Sequence, residues 1–166
     1  MTKCLYFLCP TDFLESTIDR LTISKNYFYS SLGNFPLTDL NQASELIHLI
    51  KGQQINRIYF VLSDNNRFFT IKSDVKRYST NSSVISLLDS ISKQRNKLSN
   101  IGQPFNDKHI LLSYYLNKNV LQFSRLLANF QTLGVVEIGA KIYLCEENRF
   151  IDSMSEIVYT EVVSSN

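Results

Sequence analysis

Three short apolar runs, each closed by turn-forming residues and separated from the next by a segment of helical period, constrain this chain more than any other feature. Residues 4–9, Cys-Leu-Tyr-Phe-Leu-Cys, stay apolar without alternation and stop at Pro10, the pattern of a strand buried on both faces of a parallel sheet. A helix is expected from Asp12, which has capping-box spacing to Glu15, with Phe13, Leu14, Thr17, Ile18 and Leu21 along one side. The second strand covers residues 27–32 and ends at Gly33 and Asn34, a pair suited to a turn with positive φ. Leu40, Ala43, Leu46, Ile47 and Ile50 then recur at helical spacing, opened by Thr38 and Asp39 and closed by Gly52. The third strand, residues 55–62, gives way to the polar loop Ser63, Asp64, Asn65, Asn66.

Strand–helix–strand–helix–strand within about 60 residues predicts right-handed βαβ units. The expected fold class is α/β, with a mainly parallel central sheet of about four to five strands flanked by helices. Ligand sites in such sheets gather at the carboxyl ends of the strands, here residues 9–12, 30–34 and 63–66. The second half reads as more helical. Ser82 and Ser83 open a helix with Val84, Leu87, Leu88 and Ile91 on one face, residues 100–104 form a loop, and a long helix runs from Asn106 and Asp107 to Thr132. Its apolar stripe is wide enough to predict burial on two sides, against the sheet and a second subunit. Residues 135–144 alternate as a strand, and residues 157–163 form a weaker strand-like run. One domain over residues 1–150 is expected, with residues 151–166 as a tail packed on it or on a partner subunit.

A chain of 166 residues that is 44% hydrophobic and 19% charged folds as a globule. Its formal charge of +2 supplies no global field toward nucleic acid or membrane. Cys4, Cys9 and Cys145 are odd in number and far apart, which fits reduced thiols and a cytoplasmic setting. The apolar run near the N-terminus is too short for a secretion signal, and no stretch is long enough to cross a bilayer; membrane insertion is not expected.

The order of elements resembles the β-class carbonic anhydrases. In that family one strand ends in Cys-x-Asp-x-Arg, a second in Arg-Asn-Ala-Gly-Asn and a third in Gly-His-x-x-Cys-Gly. The segments standing there are residues 5–12, residues 27–34 with Gly33 and Asn34 kept, and residues 58–66. Residues 43–47, 119–127 and 136–150 resemble the family's next helix, its Asn-Val-x-x-Gln helix and its Gly-x-x-Tyr-Asp strand. The resemblance implies the family fold and a homodimer. It also implies that the zinc site is lost, because of the two Cys and one His that hold the metal only Cys9 is present, with Ser63 at the His place and Asn66 at the second Cys place. Asp12 sits one residue late, and Phe13 or Leu14 stands where Arg is needed. No metal and no cofactor are expected. The chain starts directly at the first strand, without the N-terminal helical arms of many family members, so a weaker dimer is expected.

Each candidate residue carries two readings. Cys9, where a strand meets a helix N-terminus, reads as a nucleophile or redox sensor, or as an inert buried thiol. Asp12 reads as a general base or as a helix cap. Ser63 and Asn66, with Gly33 and Asn34, offer groups for a small anion or polar ligand, or form a solvated loop. His48 and His109 fall inside expected helices and read as surface or packing residues. Residues 67–125 carry ten Lys or Arg against three Asp or Glu, and residues 137–166 carry two against six. The expected use of this asymmetry is mutual attraction within or between subunits; binding of nucleic acid through residues 67–97, helped by Phe68, Phe69 and Tyr78, is the weaker alternative. The leading expectation is a non-catalytic carbonic-anhydrase-like binding, regulatory or scaffold protein, forming a homodimer and serving an unidentified protein partner. The alternatives are an enzyme of another class using Cys9 in the strand-end cleft, and nucleic-acid binding.

Overall fold

The computed structural model describes residues 1–34, 40–70, 81–100, 108–128 and 136–154. Five strands form one sheet in the order β2-β1-β3-β4-β5. Strands β1 (Lys3–Leu8), β2 (Lys25–Ser30), β3 (Arg57–Ser63) and β4 (Glu137–Leu144) run parallel, and β5 (Arg149–Asp152) turns back antiparallel to β4. Helices α1 (Glu15–Leu21), α2 (Leu40–Gln53), α3 (Arg67–Thr70), α4 (Ser82–Asn100) and α5 (Lys108–Ala128) connect and cover them. The expected α/β class and mainly parallel sheet are what the chain adopts.

β1 lies inside the sheet, and its unbroken apolar run is used on both faces. Leu5 and Phe7 point into a large core with Ile58, Phe60, Leu62, Ala140 and Ile142, closed by Leu46 and Ile50 of α2, Leu87 and Ile91 of α4, and Leu112, Leu116 and Phe123 of α5. Three rings lock its centre: Phe7 stacks on Phe60 at 4.4 Å, and Phe123 meets them edge-on at 5.1 and 5.6 Å. Cys4, Tyr6 and Leu8 face the other way, with Val61, onto Leu14 and Ile18 beside α1. α1 has seven residues and no side-chain cap on its N-terminus, too short to persist on propensity alone. Burial of Ile18 to 0% exposure holds it to the sheet, a contribution of about 2 kcal/mol.

Several boundaries differ from the sequence reading. β2 ends at Ser30 because Leu32–Asn34 tighten into a 3-10 turn. The first helix starts at Glu15 rather than Asp12, which falls in a separate 3-10 turn, Pro10–Asp12. The sequence pattern gives no sign of β5; it pairs with β4, so the sheet continues to Asp152. Beyond it the Ser153 N–H donates to the Ala140 carbonyl and the Met154 N–H to the Ser113 hydroxyl, which lays residues 151–154 of the expected tail on the domain. The width of the α5 stripe is met in part within the chain, because α5 packs on β3, β4 and α4 together. The strand-like run 157–163, the loop 101–104, the helix end at 129–132 and the basic residues 72–77 lie outside the described residues.

Gly33 occupies the turn after β2 with φ of 60°. A Cβ there would meet Leu87 Cδ1 at 2.7 Å, and Leu87 is itself buried in the core. Gly33→Ala therefore combines backbone strain with overpacking. It should cost about 2 kcal/mol of stability, measured by urea denaturation; a loss of only a few tenths would contradict the packing described.

Candidate functional site

Parallel strands bring their carboxyl ends to the same side, so the exits of β1, β3 and β4 meet. The first residue past β1 is Cys9, 1% exposed. Its sulfur accepts the Gly33 N–H at 3.2 Å and lies 3.0 Å from the Thr11 hydroxyl. Pro10 opens a 3-10 turn closed by the Asp12 N–H on the Cys9 carbonyl at 3.0 Å. Phe13 then takes a left-handed conformation, φ 51°, before α1 begins.

That geometry turns Asp12 away from the helix and across the sheet. One carboxylate oxygen accepts the Ser63 N–H and the other the Asn66 side-chain amide, each at 2.8 Å. The expected capping role is thereby corrected: the residue before α1 is Leu14, in helical conformation, and Asp12 joins the exit of β1 to the exit of β3 instead. Asn66 is fully buried and used twice over, since its oxygen also accepts the Phe68 N–H at 3.0 Å and its amide reaches Thr11 Oγ1 at 3.5 Å. The Ser63 hydroxyl accepts the Asn65 N–H and lies 3.0 Å from Cys145 Sγ, just past the end of β4. Asp64 accepts the Cys145 N–H at 3.2 Å and pairs with Lys108, at the start of α5, at 3.1 Å.

Asn34 works differently. Its amide donates to the Val61 carbonyl at 2.6 Å, and its own carbonyl accepts the Asn119 amide at 2.8 Å. It therefore ties the turn after β2 to β3 and α5. All six candidates, Cys9, Asp12, Gly33, Asn34, Ser63 and Asn66, stand at one end of the sheet. Gly33 meets Cys9, and Asp12 meets Ser63 and Asn66. Thr11, within the strand end 9–12, joins them, and Lys108, Asn119 and Cys145 do so without being marked by the sequence pattern. Only the placement of Cys145 directly after an alternating run hints at a strand-end role. His48 is exposed on α2 and His109 lies in the first turn of α5; neither takes part in these contacts.

The two carboxylates are driven in opposite directions. Burial raises Asp12 from its ordinary 3.8 to about 6, against the pull of the Ser63 N–H and the Asn66 amide, and the charge of Asp64 adds to the rise. Burial also works to raise Asp64, but the Cys145 N–H and the Lys108 ammonium outweigh it and hold that carboxyl below its usual range. Such a split makes Asp12 the group that titrates in mildly acidic solution.

Among the described residues no three His, Cys, Asp or Glu side chains group as a metal would require. Zinc takes thiolate, imidazole or carboxylate donors. At the places where the family's ligands belong, a hydroxyl and an amide stand beside Cys9, and both are committed to other partners. The residues present do not fit the ion.

No protein-family model and no curated protein matches this chain. Solved structures do. The β-carbonic anhydrase CafD of Aspergillus fumigatus, in its wild-type form, superposes with a TM-score of 0.66 at 16% identity, over 93% of this chain and 90% of that one. A Coccomyxa β-carbonic anhydrase in complex with acetazolamide gives 0.69 at 12% identity, over 91% and 71%. A tetrameric β-carbonic anhydrase from Sordaria macrospora gives 0.64 at 12% identity, over 91% and 80%. At these identities the likeness is one of fold, and the fold is that of the β-carbonic anhydrases.

The raised Asp12 fixes a pH dependence. The native state binds this proton more tightly than the unfolded chain, so the contribution to stability is complete below about pH 4 and is lost as pH rises through about 6. Asp12→Asn keeps the shape and removes the titration. The stability of the native sequence relative to the variant should fall by about 2 kcal/mol between about pH 4 and pH 7, followed by denaturant unfolding at each pH; parallel curves would disprove the assignment.

Proposed function

We propose that this chain is a carbonic-anhydrase-like protein without the zinc site, acting as a binding, regulatory or scaffold subunit and not as a catalyst. The observation that carries this reading is the closure of the strand ends by hydrogen bonds. The Asn66 amide is held by Asp12 and the Ser63 hydroxyl by Asn65 and Cys145, so the positions that would grip a metal hold the protein to itself. Elemental analysis of protein produced with zinc in the medium should find far less than one ion per chain, and CO2 hydration should run no faster than in buffer. Stoichiometric zinc together with hydration activity would overturn the proposal.

A second reading rests on Cys9. Its sulfur accepts a backbone N–H and lies beside the Thr11 hydroxyl at the strand-end cleft, and an enzyme of another class would use it as nucleophile with Asp12 as the acid–base group. Its 1% exposure argues for an inert thiol. Thiol titration near neutral pH should show Cys9 reacting no faster than a free cysteine; faster reaction would favour the enzyme.

The Sordaria enzymes are described as tetrameric, and we favour self-association here as a homodimer, with room for a further protein partner. Among the described residues no helix is long and apolar enough to cross a membrane. Cys4, Cys9 and Cys145 are all free, which fits a reducing compartment, and we assign the protein to the cytoplasm. We assign no nucleic-acid role to residues 67–97; Arg95, one of its cations, is turned onto the Phe69 carbonyl.

A further inference from the structure

Two polar atoms on the large-core side of Cys9 break the rule that burial obliges such atoms to be bonded. Asn34 is 0% exposed and Tyr115 is 1% exposed. Among the described residues, neither the side-chain oxygen Oδ1 of Asn34 nor the Tyr115 hydroxyl has a hydrogen-bond partner. A carbonyl oxygen or hydroxyl left bare in a core forfeits its bonds to water without replacement.

The fold brings both side chains to one place. Gly33 gives its N–H to the Cys9 sulfur, and Asn34 follows it in the same 3-10 turn. The Asn34 backbone carbonyl accepts the Asn119 amide at 2.8 Å, which clamps that turn onto α5. Tyr115 precedes Asn119 by one helical turn and shares its face. The phenol feels both neighbours: burial raises its pKa most, the Asn119 side chain opposes the rise and Cys9 adds to it. Its ring is held edge-on against Phe69 at 4.9 Å, and Asn34 is held by its own amide on the Val61 carbonyl at 2.6 Å. Neither side chain can turn away without losing one of these contacts.

The chemistry of the pair selects what belongs between them. Oδ1 of Asn34 only accepts, so its occupant has to donate, and the Tyr115 hydroxyl can donate or accept. Lys108 is already paired with Asp64 and brings no charge to balance an anion there, so the occupant is uncharged. We propose that Asn34 and Tyr115 hold one internal water molecule, which donates to Asn34 Oδ1 and bonds the Tyr115 hydroxyl. Buried waters are placed in this way, on groups that the protein itself leaves unsatisfied. The water joins the turn after β2 to α5, as Asp12 joins the exits of β1 and β3. It also steadies the Gly33 N–H on Cys9.

Tyr115→Phe separates a bonded hydroxyl from a bare one by the sign of its effect. The substitution keeps the ring against Phe69 and removes only the oxygen. A hydroxyl bonded to a held water stabilises the fold, so the ratio of folded to unfolded chain in urea should fall about fivefold in the variant. A bare hydroxyl is a liability, and a ratio that is unchanged or raised overturns the proposal. Lost stability would also follow from a bond to a protein group, so the waters are counted as well. Magnetic relaxation dispersion of the solvent should find one long-lived internal water fewer in the variant than in the native chain. Equal counts overturn the site whatever the stability. Should the variant unfold, the native chain still decides the matter. Its crystal structure at high resolution should place a water within hydrogen-bond distance of both Asn34 Oδ1 and the Tyr115 hydroxyl, and either atom bonded to a protein group instead overturns the proposal.

Discussion

Two-sided burial of β1 is the constraint on which the rest of the structure depends. A strand apolar on both faces has to lie inside a sheet with helices above and below it. Crossover connections of fixed hand are the way a chain of this length supplies them. The large face takes α2, α4 and α5, and the small face takes α1, a helix that persists because Ile18 is buried and not because its own sequence favours it. Once β1 lies inside the sheet and its neighbours are parallel, the exits of β1, β3 and β4 come to the same end whatever residues stand there.

What stands there decides the chemistry. In a metal site the strand exits are joined by an ion; here they are joined by the Asp12 carboxylate, both oxygens of which are used. Placing a carboxylate half-buried near a second one is costly, and the raised pKa of Asp12 is the sign of that cost. Asp64 escapes it through Lys108 and the Cys145 N–H. The result is a polar knot whose hydrogen-bonding groups are largely turned inward.

The site is partly legible in the sequence. Cys9, Asp12, Gly33, Asn34, Ser63 and Asn66 can be singled out because strand ends in parallel sheets collect ligand-facing residues, and all six do stand at that end. Their roles are less legible. Asp12 and Glu15 have the spacing of a capping box, and nothing local says that a 3-10 turn and a left-handed Phe13 will aim the carboxylate elsewhere. Cys145 and Lys108 come from distant segments, and their meeting with Ser63 and Asp64 depends on strand order and on where α5 begins.

By itself the sequence determined the class of the fold and the burial of residues 4–9 on both faces of the sheet, because these follow from residue type and period alone. Tertiary structure alone decided two things: β5, too short and too polar to announce itself, and the direction of Asp12. The physical reason is the same in each case. Hydrophobic period records which face of an element is buried, whereas hydrogen-bond partners and register are set by which other segment arrives beside it.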